Sequence, residues 1–169
     1  MNNINKILAV LFLIMSTTIF ADSPITSTEF YNAYSTHEIL NDSKYEEGLL
    51  TINLMDYLDG ANPIDIKMAI INKLGWDTEG QNNANIYLDY LFNKYKYINE
   101  EDFKNRSKSD NLLCMAYLKA MDNYLDDDNV NEALIYAEKA LEINPTSFTY
   151  NIIYAIIRAQ NEYGKKIYD

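Results

Sequence analysis

The sequence is poor in the residues that carry much of enzymatic and metal-binding chemistry. Its 169 residues include one cysteine, Cys114, and one histidine, His37. A single cysteine excludes an internal disulfide, and a single histidine excludes a zinc site built on paired histidines. Cys114 lies in an apolar helical stretch far from His37 along the chain. The sequence therefore predicts a buried cysteine that packs as a small hydrophobe, not a catalytic Cys–His pair.

Glycine and proline are also scarce, with five and three residues. The sequence contains no glycine-rich phosphate loop, no nucleophile elbow, and no alternating strand pattern bounded by hairpin turns. Hydrophobic residues make up 48% of the chain, which is too many for a disordered protein. We therefore expect an all-α globular protein without a catalytic motif, a metal site or a cofactor. An enzyme whose carboxylate pair is assembled only by the fold stays open, because such a pair leaves no motif.

Basic residues are too few to balance the acidic ones. Fourteen lysines and arginines face 25 aspartates and glutamates, so the formal net charge is −11. We therefore do not expect nucleic-acid binding, because its affinity rests on basic groups that displace counterions from phosphates. The same charge favours encounter with a basic partner, although it also simply keeps a protein in solution.

The first 21 residues have the pattern of a secretory signal peptide. Lys6 precedes an unbroken apolar run over residues 7–15, and a short polar stretch leads to Ala21. Residues 7–21 are too few for the roughly 20 apolar residues that a membrane-spanning helix needs. We expect cleavage near Ala21, no stable membrane anchor afterwards, and a periplasmic or secreted protein. The mature chain, a single helical domain over residues 22–169, loses only Lys6 among the charged residues, which makes its formal charge −12.

Capping residues and glycines predict helix boundaries in the first two thirds of the chain. Residues 26–29 and 43–46 each place a hydroxyl side chain three residues before a glutamate, the pattern of a capping box. Asn62 and Pro63 predict the start of a third helix, while Gly60 and Gly75 predict helix ends, Gly60 by a left-handed conformation. Apolar periodicity predicts two further helices over residues 84–95 and 99–106.

The last third of the chain carries a resemblance to a known family. The stretch NVNEALIYAEKALEINP, residues 129–145, resembles the second helix and closing turn of a tetratricopeptide repeat, a helix–turn–helix unit of about 34 residues. Ala133 and Ala140 match the family's small residues, and Pro145 matches its terminal proline. Tyr117 and Tyr124 then fall at its usual tryptophan and tyrosine positions.

The resemblance covers residues 114–147 and, in part, a following helix to residue 161. Ala120, Met121 and Ala137 depart from the family's preferred residues. It implies antiparallel helical hairpins that stack on their neighbours, as a short α-solenoid or a helical bundle. Members generally bind a peptide or protein along the first helices of their repeats. The matching positions here are Met115, Leu118, Asp122, Leu125, Asp126, Thr149, Ile152 and Ile156.

Residues 127–138 can be interpreted either as a calcium-binding loop or as part of a helix. Asp127, Asn129, Asn131 and Glu138 fall at positions 1, 3, 5 and 12 of an EF-hand loop. Position 6, which normally needs glycine for a sharp turn, is Glu132. Because the segment also has a strong helical pattern, the sequence favours helix over a calcium site.

Three functional hypotheses follow. The leading one is an exported, non-catalytic protein that binds a protein or peptide in an apolar groove edged by acids. The second is an inhibitor, such as an immunity protein that neutralises a toxin or enzyme in the same compartment. The third is an enzyme with an unrecognised carboxylate site. Whether residues 163–169 fill the groove is left open by the sequence.

Overall fold

The computed structural model describes residues 23–41, 48–77 and 79–168, with side chains described up to Gly164. The expected signal peptide, residues 1–21, lies outside the described residues. Within them the chain forms seven α-helices and two short 3-10 helices and contains no strand, which confirms the all-α prediction. None of the described helices has the length and apolar character needed to cross a bilayer.

The helices follow one another closely along the chain. The two 3-10 helices span Phe30–Tyr34 and Glu38–Asn41. The α-helices are α1 (Ile52–Asp59), α2 (Ile64–Leu74), α3 (Asn83–Tyr95), α4 (Glu100–Arg106), α5 (Ser109–Asp122), α6 (Asp127–Ile143) and α7 (Phe148–Tyr168).

Helix α5 is the centre of the molecule. Apart from Lys119, every residue from Asn111 to Asp122 is buried, and the helix contacts α1, α2, α3, α6 and α7. A helix that is apolar on all sides is stable only when neighbours surround it. One hydrophobic core therefore joins both ends of the described chain, from Ile25 to Ile157.

Helices α5, α6 and α7 form successive antiparallel pairs. The Asn144 amide at the end of α6 donates to the Ser109 hydroxyl at the start of α5, at 2.7 Å. Ala133 and Ala140 are fully buried, at positions where close helix crossing requires small residues. The first helix begins at Ser109, earlier than the repeat start expected at Cys114. The cap of α6 is Asp126, whose carboxylate accepts two backbone N–H groups.

The capping box expected at residues 26–29 does not start an α-helix. A short 3-10 helix follows it, and no side chain caps that helix. Instead, the Asn72 side chain of α2 accepts the Tyr31 N–H at 3.1 Å and donates to the Thr28 carbonyl at 3.1 Å. A distant side chain satisfies these backbone groups, so no local cap is needed.

The helix expected from Ser43 to Gly60 is shorter than predicted. Residues 42–47 lie outside the described residues, and residues 48–51 are not helical. The Asn83 side chain accepts the Leu50 N–H and donates to the Gly48 carbonyl, so residues 48–50 are held by a side chain of α3. Helix α1 begins after Thr51. Gly60 ends it with a φ of −65°, so the expected left-handed conformation is wrong there.

Other boundaries agree closely with the sequence. Helices α3 and α4 begin within a residue of the predicted positions. Gly75 ends α2 with a φ of 72°, a conformation that favours glycine. Pro63 precedes α2 as expected, although the Asn62 side chain makes no cap bond and donates to the Tyr57 carbonyl at 2.8 Å.

Candidate partner-binding groove

An apolar groove of about 370 Å³ opens between the N-terminal segment (residues 23–41), α2 and α7. Three walls surround it, each from a different part of the chain, so the fold is needed to assemble it. The residues that line it are Thr28, Phe30, Ala33 and Tyr34 from the N-terminal segment, Asp65 and Met68 from α2, and Phe148, Thr149, Ile152, Ile153 and Ile156 from α7. Its volume lies at the lower end of the range for ligand sites, roughly 300–1,000 Å³.

The N-terminal wall is held in place from beneath. The Phe30 ring stacks on Tyr117 of α5, with centroids 6.3 Å apart. The Asn72 amide fixes the backbone on either side of Phe30 and also donates to the Tyr117 hydroxyl at 3.1 Å. This segment is therefore fixed by contacts with α2 and α5 in addition to its own short-range backbone hydrogen bonds.

The α7 wall exposes apolar side chains. Ile153 and Ile157 are buried against the core, as expected for one stripe of an amphipathic helix. On the neighbouring stripe, Phe148 is 79% exposed and Ile152 is 40% exposed. These two residues are four apart, so their side chains lie one turn apart on the same face. Clustered exposed apolar residues beside a cavity mark an interaction site more often than single ones do.

Asp65 is the one charged residue among the described residues that line the groove. It lies in the first turn of α2, where the helix dipole favours a negative charge, and its carboxylate accepts the Ile66 N–H at 3.0 Å. Burial raises the pKa of Tyr34, and the neighbouring Asp65 carboxylate raises it further. Asp65 forms no ion pair with another described residue.

Three of the eight residues expected to contact a partner line this groove, namely Thr149, Ile152 and Ile156. Met115 and Leu118 do not, because each is 1% exposed in the core. The expectation that α5 presents an open face is therefore wrong for these two residues, since α2 and α3 pack against that helix. Asp122 is also buried, and its carboxylate accepts the Ala84 N–H at 2.7 Å, which caps α3.

Leu125 and Asp126 are exposed, but they lie at the other end of α7 from the groove. The Gln160 side chain donates to the Tyr124 carbonyl there. Gln160 follows Ile152 by eight residues, a distance of about 12 Å along a helix. The predicted site is thus divided between the groove, the core and a distant loop.

The C-terminal residues do not fold back into the groove. Residues 163–168 continue α7 without interruption, and Asp169 lies outside the described residues. Tyr163 is about 22 Å from Phe148 along the helix axis. The groove is consequently open on this side.

Eight groove residues were not among the expected contacts, namely Thr28, Phe30, Ala33, Tyr34, Asp65, Met68, Phe148 and Ile153. Only Phe148 and Ile153 lie near the predicted positions, on the helix that follows the repeat-like segment. The other six reach the groove through the packing of the N-terminal half on α5, which no local pattern encodes.

The geometry of the described residues supports neither a catalytic Cys–His pair nor a calcium-binding loop. Cys114 is fully buried, as predicted, and burial raises the pKa of its thiol well above its usual range. His37 is exposed on the N-terminal segment. Residues 127–138 all lie within α6, so they do not form the loop that an EF-hand calcium site requires.

Two buried polar clusters tie the helices together. Asp59 of α1 accepts from Lys94 and Asn111, each at 2.8 Å, and from Tyr95. Burial alone would raise the pKa of Asp59, but these hydrogen bonds outweigh it and lower the pKa to about 2. In the second cluster, Asp110 of α5 pairs with the buried Lys67 of α2 at 2.7 Å and accepts from the Tyr150 hydroxyl of α7 at 2.5 Å.

Both clusters have their hydrogen bonds satisfied within the protein, which indicates a structural role. The groove, by contrast, has exposed apolar side chains and a carboxylate without an ion-pair partner among the described residues, which is what a docking site offers. No family model, curated protein or solved structure matches the chain.

Proposed function

We propose that this chain is an exported, non-catalytic helical protein that binds a protein or peptide segment in the groove between residues 28–34, α2 and α7. One observation carries the proposal: Phe148 and Ile152 expose large apolar surfaces beside a preformed apolar cavity. Complete burial of such a side chain contributes about 1.5–3 kcal/mol. A partner that covers both therefore gains enough to select this face.

Support for a relation to tetratricopeptide repeats comes from the same part of the chain. Helices α5 and α6 pair antiparallel, Ala133 and Ala140 are buried between helices, and Pro145 follows α6. In repeats of this type, partner binding occurs on the first helices of the hairpins. Here α5 is covered, so the corresponding face of α7 takes over that role in our proposal.

Export rests on the N-terminal sequence pattern, in which Lys6, an apolar run and Ala21 precede Asp22. We expect the exported protein to begin at or close to Asp22. Intact-mass analysis of the exported protein tests this directly. Retention of Met1 would contradict it.

Capture of partners from the envelope fraction tests the binding function. The bait is the exported protein, compared with Ile152→Asp in the groove and Ile135→Asp as a matched control. Ile135 is 51% exposed on α6, which does not line the groove. We expect a partner that the wild type and Ile135→Asp retain and that Ile152→Asp loses.

The same experiment distinguishes an inhibitor from a scaffold. The observation that supports an inhibitor is the formal charge of −12 on the mature chain. One tight partner whose retention falls with salt favours an inhibitor of a basic protein, whereas several weak partners favour a scaffold. Partners retained equally by all three baits would contradict groove binding.

A further inference from the structure

Charge selection is a second property of the groove, and it deepens the proposed function on which it rests. The apolar walls alone accept any hydrophobic segment of suitable size. Asp65 changes this, because its carboxylate sits in the wall of the groove beside Tyr34 and Met68. A partner that covers the groove also covers this carboxylate.

Covering a carboxylate removes water from it, which is unfavourable unless the partner supplies a compensating group. The Ile66 N–H, the Tyr34 hydroxyl and the helix dipole satisfy Asp65 only in part, since a carboxylate has room for several donors and none of these three carries a full positive charge. None of the described residues that line the groove is a lysine or an arginine. The missing positive charge therefore has to come from the partner.

We propose that the groove binds a polypeptide segment in which apolar side chains lie next to a lysine or arginine that pairs with Asp65. The apolar side chains bind along Phe148 and Ile152 of α7, and the basic side chain reaches α2 on the opposite wall. A purely apolar segment leaves the carboxylate desolvated without a partner, and an acidic segment is repelled. The groove thus discriminates by charge as well as by hydrophobicity.

The net charge of the chain supports this assignment. With 25 acidic and 14 basic residues, the protein attracts basic partners before contact. Long-range attraction raises the rate of encounter, and the single carboxylate in the groove then fixes how the segment is placed. The two effects separate experimentally, because salt weakens the first more than the second.

Selection from a display library of random twelve-residue peptides tests the inference on the exported protein. The targets are the wild type, Asp65→Asn, Ile152→Asp and the control Ile135→Asp. Asparagine keeps an acceptor for the Ile66 N–H but carries no charge. We expect the wild type and Ile135→Asp to enrich apolar peptides with lysine or arginine at a constant spacing. Asp65→Asn should retain the apolar preference and lose the basic one, and Ile152→Asp should lose the apolar preference.

A synthetic peptide from the wild-type selection then gives the size of the effect. Replacing its basic residue by methionine should weaken binding to the wild type about tenfold and binding to Asp65→Asn less than twofold. Fluorescence anisotropy measures both affinities. Circular dichroism of each variant checks that the helices are intact.

The possible outcomes separate this inference from the proposed function. Apolar peptides without a basic preference, still lost in Ile152→Asp, would overturn charge selection and leave groove binding standing. Peptides that bind all four targets equally, or no enrichment at all, would overturn both. Sedimentation showing a dimer that Ile152→Asp dissolves would identify a second copy as the occupant and also overturn the inference.

Discussion

The C-terminal helices and the N-terminal segment obtain their backbone conformation in different ways. Helices α5, α6 and α7 satisfy most of their amides within their own backbone, and Asp126, directly before α6, caps that helix. The backbone at residues 28–31 and 48–50 relies instead on single side chains, Asn72 and Asn83, from helices distant in sequence. Backbone bonds within a helix are present wherever that helix forms. The bonds from Asn72 and Asn83, in contrast, exist only while the core holds α2 and α3 in place.

The groove depends on both kinds of structure. Its α7 wall belongs to a long helix, and another wall belongs to the segment that Asn72 holds. Loss of the N-terminal segment would remove one wall and leave those of α2 and α7 intact. A bound partner should in turn stabilise the segment, because a ligand stabilises the state that binds it.

The largest effect is expected at the buried ion pair that joins the two regions through α2, the helix whose Asn72 holds the N-terminal segment. Lys67 of α2 is 1% exposed and pairs with Asp110 of α5, which also accepts from Tyr150 of α7. Asp110→Ala leaves the Lys67 ammonium buried without its carboxylate. We expect the free energy of unfolding to fall by about 3 kcal/mol, measured by urea denaturation.

The double variant Lys67→Met, Asp110→Ala serves as the control for this prediction. It removes both charges, so it should recover part of the lost stability although the Tyr150 hydrogen bond is still absent. A loss below about 1 kcal/mol for Asp110→Ala alone would show that the pair does not join the two regions.

Asn72→Ala is expected to have the next largest effect, and a localised one. It removes the bonds to Thr28, Tyr31 and Tyr117. Buried groups left without partners cost about 1–3 kcal/mol. Hydrogen exchange followed by mass spectrometry should show faster exchange in residues 28–34, with α5 and α6 unchanged. The exposed Asn105→Ala should change neither region. Equal acceleration in α6 would mean that the N-terminal segment is not an independently labile unit.

Asp122→Asn should change the pH dependence of stability by a smaller amount. Burial raises the pKa of Asp122 to about 6, although backbone hydrogen bonds from Ala84 and Asn83 oppose the shift. The folded protein therefore binds this proton more tightly than the unfolded chain, whose pKa is about 3.9, so stability falls as pH rises from about 4 to about 6. Asparagine keeps an acceptor for the Ala84 N–H and has no charge to bury.

The measurement is urea denaturation of both proteins at pH 4 and pH 7. The stability of Asp122→Asn relative to the wild type should increase by about 1–2 kcal/mol between the two pH values. Glu138→Gln, a change on the outer surface of α6, provides the matched control. A constant difference between the wild type and Asp122→Asn would mean that burial does not govern this carboxyl group.

The same contrast explains how much of the fold the sequence could predict. Apolar periodicity predicted α3 and α4, and the repeat resemblance predicted the α5–α6 pair, because both kinds of pattern depend on residues close together in the sequence. Gly75 was predicted for the same reason. Residues 26–29 carried a valid capping pattern, yet no α-helix formed, since Asn72 offered the same backbone groups another set of partners. A local pattern cannot report a competing contact made more than forty residues away.

The residues of the candidate site show the same contrast between what the sequence could predict and what depends on packing. Thr149, Ile152 and Ile156 were predicted from the repeat resemblance, and they do line the groove. Met115 and Leu118 occupy equivalent positions on α5 but are buried, because the sequence does not say which face of a helix its neighbours cover. Asp65 gave no signal, since it is an ordinary first-turn acid until α7 and the N-terminal segment surround it.

Phe148 should show the smallest effect on stability and a large one on binding. Its side chain is 79% exposed, so Phe148→Ser removes little buried surface, and we expect a change in unfolding free energy within about 0.5 kcal/mol. The groove nevertheless loses a large and highly exposed apolar side chain, and binding of a selected peptide should weaken about tenfold or more. Thermal denaturation and fluorescence anisotropy on the same samples measure the two effects.

Ile157→Ser is the matched comparison, because it changes a residue of α7 that is 0% exposed and does not line the groove. That variant should lose about 2–4 kcal/mol of stability, since it leaves a cavity and a hydroxyl in the core. Any loss of binding in Ile157→Ser should then follow unfolding, whereas in Phe148→Ser it should occur in a fully folded protein. Strong destabilisation by Phe148→Ser would mean that this ring belongs to the core and not to a docking surface.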